Sequence, residues 1–371
     1  MWSARRSAGR LAARSTAAAT AGRHRGHPSL LLELSQRRRY GVHACGRGPD
    51  RRLRLRRVLP ASESVGQINP RVSFIVPAYN EAHRVADILD SMDRQTYLSV
   101  ELVFVDDGST DGTLRRLVRV GSVRPVRTIR HPIPRGVAAA RNSGARAAEG
   151  DILVFMDADL TLPDDFAARI LSLYDVGADY VLVGSRVADR SRAPSRYLQS
   201  EHELALARPE LQRSSQAFSV RRHVFQAVGP FRKDLPRGDD SEFGERVMAA
   251  GFRRVEDLTI EVMHDRPRSW GGFLALQRRR GRNFAYSRRN RFGHGWVHLL
   301  AAGLARMLLT LGEIVTLAVP LHQAVRLAGR SPRGLGDWAS FALLYACGRT
   351  ARAVGVWQGI REVLTGTYNP R

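Results

Sequence analysis

Short apolar runs alternate with amphipathic helical patterns through the first half of the chain. Residues 72–76 form the first run, and Val85, Ile88, Leu89 and Met92 then recur at helical spacing. A run of this length that is followed by a loop and then by an amphipathic pattern predicts a strand and a helix.

The same unit repeats along the sequence. Residues 100–105, 126–129 and 152–156 are further strand candidates, and the last of these is too short and too apolar for an ordinary helix. The small residues of segment 136–144 would let a helix pack close to a sheet. Strands that alternate with helices imply parallel pairing and right-handed crossovers. The sequence therefore predicts an α/β domain whose acidic loops share one rim.

Two carboxylates stand where the fourth predicted strand ends. Asp157 and Asp159 are separated by a single residue. Ligands gather at the carboxyl ends of strands in open α/β sheets, and such a pair suits a divalent cation. The spacing alone is weak evidence, because a solvated turn carries the same residue types. The neighbouring motifs favour the metal site.

Five short motifs occur in a characteristic order. They are Ile75-Val-Pro-Ala-Tyr-Asn-Glu81, Val105-Asp-Asp-Gly-Ser-Thr-Asp-Gly112, Ala140-Arg-Asn-Ser-Gly144, Phe155-Met-Asp-Ala-Asp159 and Arg237-Gly-Asp-Asp-Ser-Glu-Phe243. With them the chain resembles the inverting nucleotide-sugar glycosyltransferases of family 2 over roughly residues 71–285. The resemblance implies the GT-A fold, a mostly parallel Rossmann-like sheet flanked by helices. It also implies sugar transfer from a nucleotide-sugar donor.

The resemblance assigns donor-binding residues. Asp107 would accept a hydrogen bond from the base, Tyr79 would offer its ring face, and Arg141 would lie near the donor. A UDP-sugar is the default donor by the same resemblance, with GDP-mannose as the alternative. The full donor-binding set is Pro77, Ala78, Tyr79, Glu81, Asp107, Arg141 and Asp157.

The resemblance also implies a divalent metal. The donor diphosphate leaves as an anion, and a cation held by carboxylates neutralises the charge that develops there. Asp159 and Asp157 would supply the ligands, and Mg²⁺ or Mn²⁺ suits such hard oxygen donors. His264, which follows the strand-like residues 258–263, would be a further ligand, with a structural histidine as the alternative.

An inverting transfer needs a carboxylate that takes the proton of the acceptor hydroxyl. Asp240 is the candidate base. The family usually has Glu-Asp here, whereas this chain has Asp239-Asp240 with Glu242 close behind, so the choice among the three acids stays open. The same acids would stabilise the start of a helix, and both roles can coexist.

The acceptor is less determined, and it is either a glycan hydroxyl or a lipid-linked acceptor. Arg186 lies in a segment that resembles one beside the acceptor in lipid-phosphate glycosyltransferases of the family. It would grip a phosphate there, or it would only end a strand.

The net charge of +24 does not indicate nucleic-acid binding. Residues 1–57 hold fifteen arginines against Glu33 and Asp50 and carry +13 of it, and Trp2 and Tyr40 are too few for an aromatic pattern interleaved with the arginines. Residues 1–65 are predicted to be a disordered basic arm, with a transit peptide, a misassigned start or a lipid-binding arm as open interpretations. Cys45 and Cys347 lie far apart and indicate neither a disulfide framework nor a zinc site.

The C-terminal part is apolar from residue 296 to 327, and Arg306 and Glu313 interrupt it seven residues apart on one helical face. Such a pattern favours amphipathic helices in a membrane interface, with a soluble helical cap or an oligomer interface as alternatives. Basic residues just before the block favour the cytoplasmic face, and a soluble cytoplasmic protein is the second choice. The predicted divisions are 1–65, a glycosyltransferase domain over 66–291, and a membrane-associated helical region over 292–371.

The sequence therefore predicts a metal-dependent, membrane-associated inverting glycosyltransferase. One rival is a catalytically silent nucleotide-sugar-binding scaffold, which would have lost acids that this chain keeps. The other is a metal-dependent nucleotidyltransferase, and it is disfavoured because no glycine-rich phosphate loop with a lysine follows the first predicted strand.

Overall fold

The computed structural model describes residues 70–206, 217–235 and 238–367. The predictions for residues 1–65 and for Arg237 lie outside the described residues. Within those ranges the chain forms one eight-stranded sheet with helices on both faces, followed by a group of C-terminal helices.

The first half of the fold follows the predicted alternation. Its strands lie in the order β3-β2-β1-β4, and all three pairings are parallel. The parallel pairing predicted for these strands is confirmed, and their carboxyl ends meet at one edge of the sheet. The elements are β1 (Val72–Ala78), α1 (Val85–Asp93), β2 (Val100–Asp106), α2 (Thr113–Val120), β3 (Val126–Arg130), α3 (Val137–Ala147) and β4 (Ile152–Met156).

The second half extends the sheet with mixed pairing in the order β4-β7-β6-β8-β5. Strand β7 runs antiparallel to both of its neighbours, whereas β6 and β8 are parallel. Alternation of strands and helices does not fix the direction of β7, so this part of the sheet departs from the parallel pattern. The elements are β5 (Leu160–Thr161), α4 (Phe166–Asp175), β6 (Tyr180–Val187), α5 (Ala193–Leu206), β7 (Ala217–Arg221), α6 (Arg222–Val228), α7 (Asp239–Ala249) and β8 (Arg254–His264).

The central strands are buried on both faces, which explains why they are nearly continuous apolar runs. Phe74 belongs to the core on one face of the sheet, and Ile75 and Phe155 belong to the core on the other. Helix α3 packs close to the sheet, because a Cβ at Gly144 would lie 2.4 Å from Cγ2 of Ile75. The close approach predicted from the small residues of this segment is confirmed.

The C-terminal helices pack on the sheet domain through α5. Tyr197 of α5 stacks edge-on against Phe273 and Phe341. The buried guanidinium of Arg196 donates two hydrogen bonds of 2.7 Å to the carboxylate of Asp337. The elements are α8 (Trp270–Phe292), α9 (Trp296–Thr316), α10 (Ala318–Ala328), a 3-10 turn (Gly334–Asp337) and α11 (Trp338–Thr365). Of the helices described, α9 alone is long and apolar enough to cross a membrane.

Candidate active site

A cleft of about 800 Å³ opens where β1, β2 and β4 end. We call it the rim cleft. Loops after these strands form one wall, the start of α7 forms another, and α8 closes the side towards the C-terminal helices. Its charged lining consists of Asp107, Arg135, Arg141, Asp157, Asp159, Lys233, Asp239, Asp240, His264, Arg266, Arg279 and Arg280.

Seven of the residues singled out from the sequence line the rim cleft together. They come from strand ends and helix starts that are distant in the chain, so the fold brings them to one place. They are Tyr79, Asp107, Arg141, Asp157, Asp159, Asp240 and His264.

Four other predicted residues do not line the rim cleft. Pro77 and Ala78 are the last residues of β1, and Ala78 is buried. Glu81 forms a 3.0 Å ion pair with Arg84, and burial raises the pKa of Glu81 despite that partner. Arg186, the fourth, belongs to a neighbouring pocket.

That neighbouring pocket has a volume of about 240 Å³. The guanidinium of Arg186 lies 2.8 Å from the carboxylate of Glu261 and is partly exposed. His264, Arg266 and Arg280 line both this pocket and the rim cleft. Arg186 is therefore close to the site but already has an acidic partner.

Asp107 holds the loop that precedes α3. Its carboxylate is buried and accepts hydrogen bonds of 2.8 Å from the backbone N–H groups of Arg135 and Gly136. Nδ1 of His131 lies 2.6 Å from the same carboxylate. A carboxylate has about four acceptor positions, so one remains for a ligand. The contact to a nucleoside base stays a prediction.

Arg141 joins the end of β4 to the start of α7. Its buried guanidinium donates hydrogen bonds of 2.8 Å to Asp157 and to Asp239. Burial disfavours the charge of Arg141, but the two carboxylates outweigh this and raise its pKa. Arg141 is thus a charged bridge that fixes the relative positions of the two acids.

Asp157 and Asp159 lie side by side in different electrostatic surroundings. Burial raises the pKa of Asp157. Burial also acts to raise the pKa of Asp159, but a 2.9 Å hydrogen bond with Nε2 of His264 outweighs it, so that pKa is lowered. The pairing of β5 with β8 sets this contact, because Leu160 lies opposite His264 in the sheet.

The donor set at this position fits a cation that is shared with a substrate. Oδ1 of Asp159 and Nδ1 of His264 are buried without hydrogen-bond partners. Within the described ranges there is no group of three or more His, Cys, Asp or Glu residues arranged to hold a metal. Mg²⁺-type ions in nucleotide sites are bound by one or two carboxylates together with substrate phosphates, so two carboxylates with a free oxygen suit that mode.

The three candidate bases on α7 have different partners. Asp239 is buried against Arg141, and Glu242 forms a 2.8 Å ion pair with Arg246. Asp240 is half-buried in the cleft wall and accepts a 2.8 Å hydrogen bond from the N–H of Ser241. No cation among the described residues pairs with Asp240. The helix begins at Asp239, so these acids also favour its positive end.

Helix α8 supplies site residues that sequence reasoning missed. The basic residues before the apolar block favour a cytoplasmic membrane face by sequence, yet two of them, Arg279 and Arg280, line the rim cleft with Asn283 and Tyr286. The signal was their helical spacing, which places all four on one face together with Leu276.

Comparisons with known proteins identify the family of the chain. The model of the glycosyl transferase family 2 matches residues 73–235. The glycosyltransferase AglE of Haloferax volcanii is 30% identical over 225 residues, which are 57% of this chain and 72% of that protein. The dolichol-phosphate mannosyltransferase of Pyrococcus furiosus is 34% identical over 117 residues, which are 31% of this chain but only 33% of that protein.

Among solved structures, the mannosyltransferase PcManGT from Pyrobaculum calidifontis, in complex with GDP-Man and Mn²⁺, is similar. It superposes with a TM-score of 0.48 and 24% identity, over 71% of this chain and 72% of that one. The assignment therefore rests on the sequence matches. The chain belongs to glycosyltransferase family 2. It is a glycosyltransferase with a GT-A fold, as its motifs predicted.

Proposed function

We propose that this enzyme is a metal-dependent, inverting glycosyltransferase that acts at a membrane surface on a nucleotide-sugar donor and a hydroxyl acceptor. The observation that carries the proposal is the rim cleft, which unites a carboxylate pair just after β4 with Asp240 of α7, an acid that pairs with no cation among the described residues. A UDP-sugar is the favoured donor, and GDP-mannose is the alternative.

The proposed metal ligands are Asp159 and Asp157. The bound cation would neutralise the charge of the departing diphosphate. Arg141 keeps the carboxylate of Asp157 in place and compensates its charge. His264 remains a proposed ligand, and a cation held between it and Asp159 would replace their present hydrogen bond.

The proposed base is Asp240. Its carboxylate would accept the proton of the acceptor hydroxyl while the oxygen attacks the anomeric carbon opposite the nucleotide. Asp239 and Glu242 are engaged with arginines, so neither offers a free carboxylate to an acceptor. The carboxylate of Asp240 accepts one backbone hydrogen bond and pairs with no cation among the described residues, which supports its assignment.

A conservative substitution tests this assignment. In Asp240→Asn the proton acceptor is lost but the shape is kept, so transfer should fall by at least about 100-fold while nucleotide binding persists. Glu242→Gln is the control, because it removes a carboxylate charge two residues further along α7. This variant should retain turnover. Transfer at the normal rate by Asp240→Asn would exclude it as the base.

The proposal of membrane association rests on α9. Only 17% of the apolar stretch of this helix is buried against the rest of the protein, whereas the core helix of a globular domain is mostly buried. Leu304, Leu308 and Val315 are exposed on its outer side. The carboxylate of Glu313 instead turns inward and forms a bidentate pair with Arg349 of α11. A helix whose charged side chain faces the protein and whose apolar side chains face outwards is suited to contact with lipid.

Substitutions on the exposed side of α9 test the membrane claim. Leu308→Glu with Val315→Glu places two charges on the face proposed to contact lipid, and the full chain should then leave the membrane fraction. Exchange of the exposed Arg361 for Glu, away from α9, is the control. A wild-type chain that stays soluble without detergent would contradict the claim.

A further inference from the structure

A second cavity lies beside the rim cleft, where α5, α8, α9 and α11 meet. Its volume is about 340 Å³, which is within the usual range of about 300 to 1,000 Å³ for small-molecule sites. We call it the arginine cavity. Its lining includes Glu201, Arg280, Asn283, Phe284, Arg306 and Arg352.

Positive charge exceeds negative charge around this cavity. Three guanidinium groups line it, and Glu201 is the only carboxylate among the described residues of its lining. Glu201 lies 2.8 Å from Arg280 and 3.6 Å from Arg352, so a single carboxylate is shared between two arginines. Nε of Arg280 is nevertheless buried without a hydrogen-bond partner.

Arg306 is the third guanidinium, and no described carboxylate lies within ion-pair distance of it. It is half-buried and stacks 5.2 Å from the ring centroid of Phe284. The acid nearest to it along α9, Glu313, is occupied by Arg349 at 2.8 and 2.9 Å. Buried charges in proteins are normally paired, because removing an ion from water is costly, and partial burial carries part of that cost. The guanidinium of Arg306 is therefore available to an anionic ligand in the cavity.

The arginine cavity adjoins the rim cleft. Arg280 and Asn283 line both the arginine cavity and the rim cleft. A ligand whose anionic group is held by Arg306 and Arg352 would thus have the rest of its structure directed along α8 towards the rim cleft. The proposed donor site lies separately, at the strand ends.

We propose that the arginine cavity binds the phosphate or diphosphate group of the acceptor substrate. Arginine forms bidentate hydrogen bonds with phosphate oxygens, and three such groups match a doubly charged anion. The identification of this ligand as the acceptor rests on the proposed function; the anion site itself does not. The phosphate can belong to a lipid, since Arg306 is on α9, or to a soluble phosphorylated compound.

Binding of inorganic pyrophosphate to the full-length protein in neutral detergent tests the site. EDTA is present, so that no metal supports binding at the strand ends. Arg306→Gln should weaken pyrophosphate binding by about tenfold or more, because a charge-assisted contact is lost. Arg361→Gln removes the same charge from an exposed position of α11 and should bind like wild type.

The melting temperature without ligand separates lost binding from lost folding. Arg306→Gln should melt at or above the wild-type temperature, because it removes an unpaired half-buried charge that lies near Arg349 and Arg352. Equal pyrophosphate affinity of wild type and Arg306→Gln would overturn the proposal. The conservative Arg306→Lys should recover part of the affinity.

Two further measurements assign the ligand. Phosphatidylcholine vesicles that contain phosphatidic acid should compete with pyrophosphate if the phosphate is carried by a lipid, and pure phosphatidylcholine should not. Absence of competition with intact pyrophosphate binding supports a soluble phosphorylated acceptor. Stabilisation by a nucleoside diphosphate with Mn²⁺ should be unchanged in Arg306→Gln, so failure of the donor site and failure of the arginine cavity are distinguishable.

Discussion

The contact between α8 and α11 makes a sharp prediction about glycine. These helices approach so closely that a Cβ at Gly355 would lie 2.0 Å from the carbonyl oxygen of Arg278. A Cβ at Gly359 would lie 2.1 Å from the carbonyl oxygen of Arg282, and one at Gly281 would lie 2.0 Å from a carbonyl oxygen of α11. Real Cβ atoms do not approach other atoms within 3.0 Å. Gly355→Ala must therefore move the two helices apart by about 1 Å.

The size of the effect follows from two opposing contributions. Alanine in place of glycine in a helix interior stabilises by up to about 1 kcal/mol. Overpacking costs about 1–3 kcal/mol, and the upper end applies here because the obstacle is backbone and not a side chain that can rotate. We expect Gly355→Ala to lower the free energy of unfolding by about 2 kcal/mol.

A matched control isolates the clash from the helix propensity. Gly312 in α9 is also in a helix interior, and a Cβ there would meet no atom within 4 Å. Gly312→Ala should therefore leave stability unchanged or raise it by up to about 1 kcal/mol. The difference between the two variants, about 3 kcal/mol, measures the clash alone.

Urea unfolding of the full chain in detergent, followed by circular dichroism, gives both values. Equal effects of Gly355→Ala and Gly312→Ala would refute the close packing of α8 on α11. That result would also weaken the account of the rim cleft, because α8 holds Arg279 and Arg280 in its wall.

Two further predictions concern buried ion pairs. Arg141→Met leaves the buried Asp239 without its counter-charge, so the free energy of unfolding should fall by about 3–5 kcal/mol in a urea titration. The control is Arg94→Met, which removes an exposed ion pair and should lower the free energy of unfolding by less than about 1 kcal/mol. The hydrogen bonds from Arg196 lower the pKa of Asp337 below its ordinary 3.8. The pair therefore stabilises the fold above that pH, and this stabilisation is lost as the pH falls through the folded-state pKa. The stability deficit of Asp337→Asn should accordingly be full near about pH 7 and shrink progressively as the pH falls below about 4. A deficit independent of pH would contradict the assignment.

The sequence predicted most of the sheet because its central strands are buried on both faces and so appear as apolar runs. It also placed Asp157 and Asp159 at a strand end, where parallel pairing makes a rim. It did not give the direction of β7, because pairing direction depends on the path of the chain between strands. Nor did it show that Asp107 would be engaged by His131, since that contact forms only when β3 lies beside β2.

Long-range contacts explain the other gaps. The bridge from Arg141 to Asp239 joins residues 98 positions apart, and no local pattern encodes it. It distinguishes Asp239 from Asp240, which the sequence could not do. The sequence favours a membrane surface for the basic segment before α9, but the fold places Arg280 in the lining of three cavities.

Thermal unfolding of the full-length chain with a panel of nucleoside diphosphates, each with and without Mn²⁺, tests the central claim most directly. A ligand of the native state at about 100 times its dissociation constant stabilises by about 2.7 kcal/mol. We predict that UDP or GDP raises the melting temperature only with Mn²⁺, and that Asp159→Ala abolishes this rise while Asp90→Ala, at an exposed position of α1, retains it. Absence of any response in the wild type, or an unchanged response in Asp159→Ala, would contradict a metal-dependent donor site in the rim cleft.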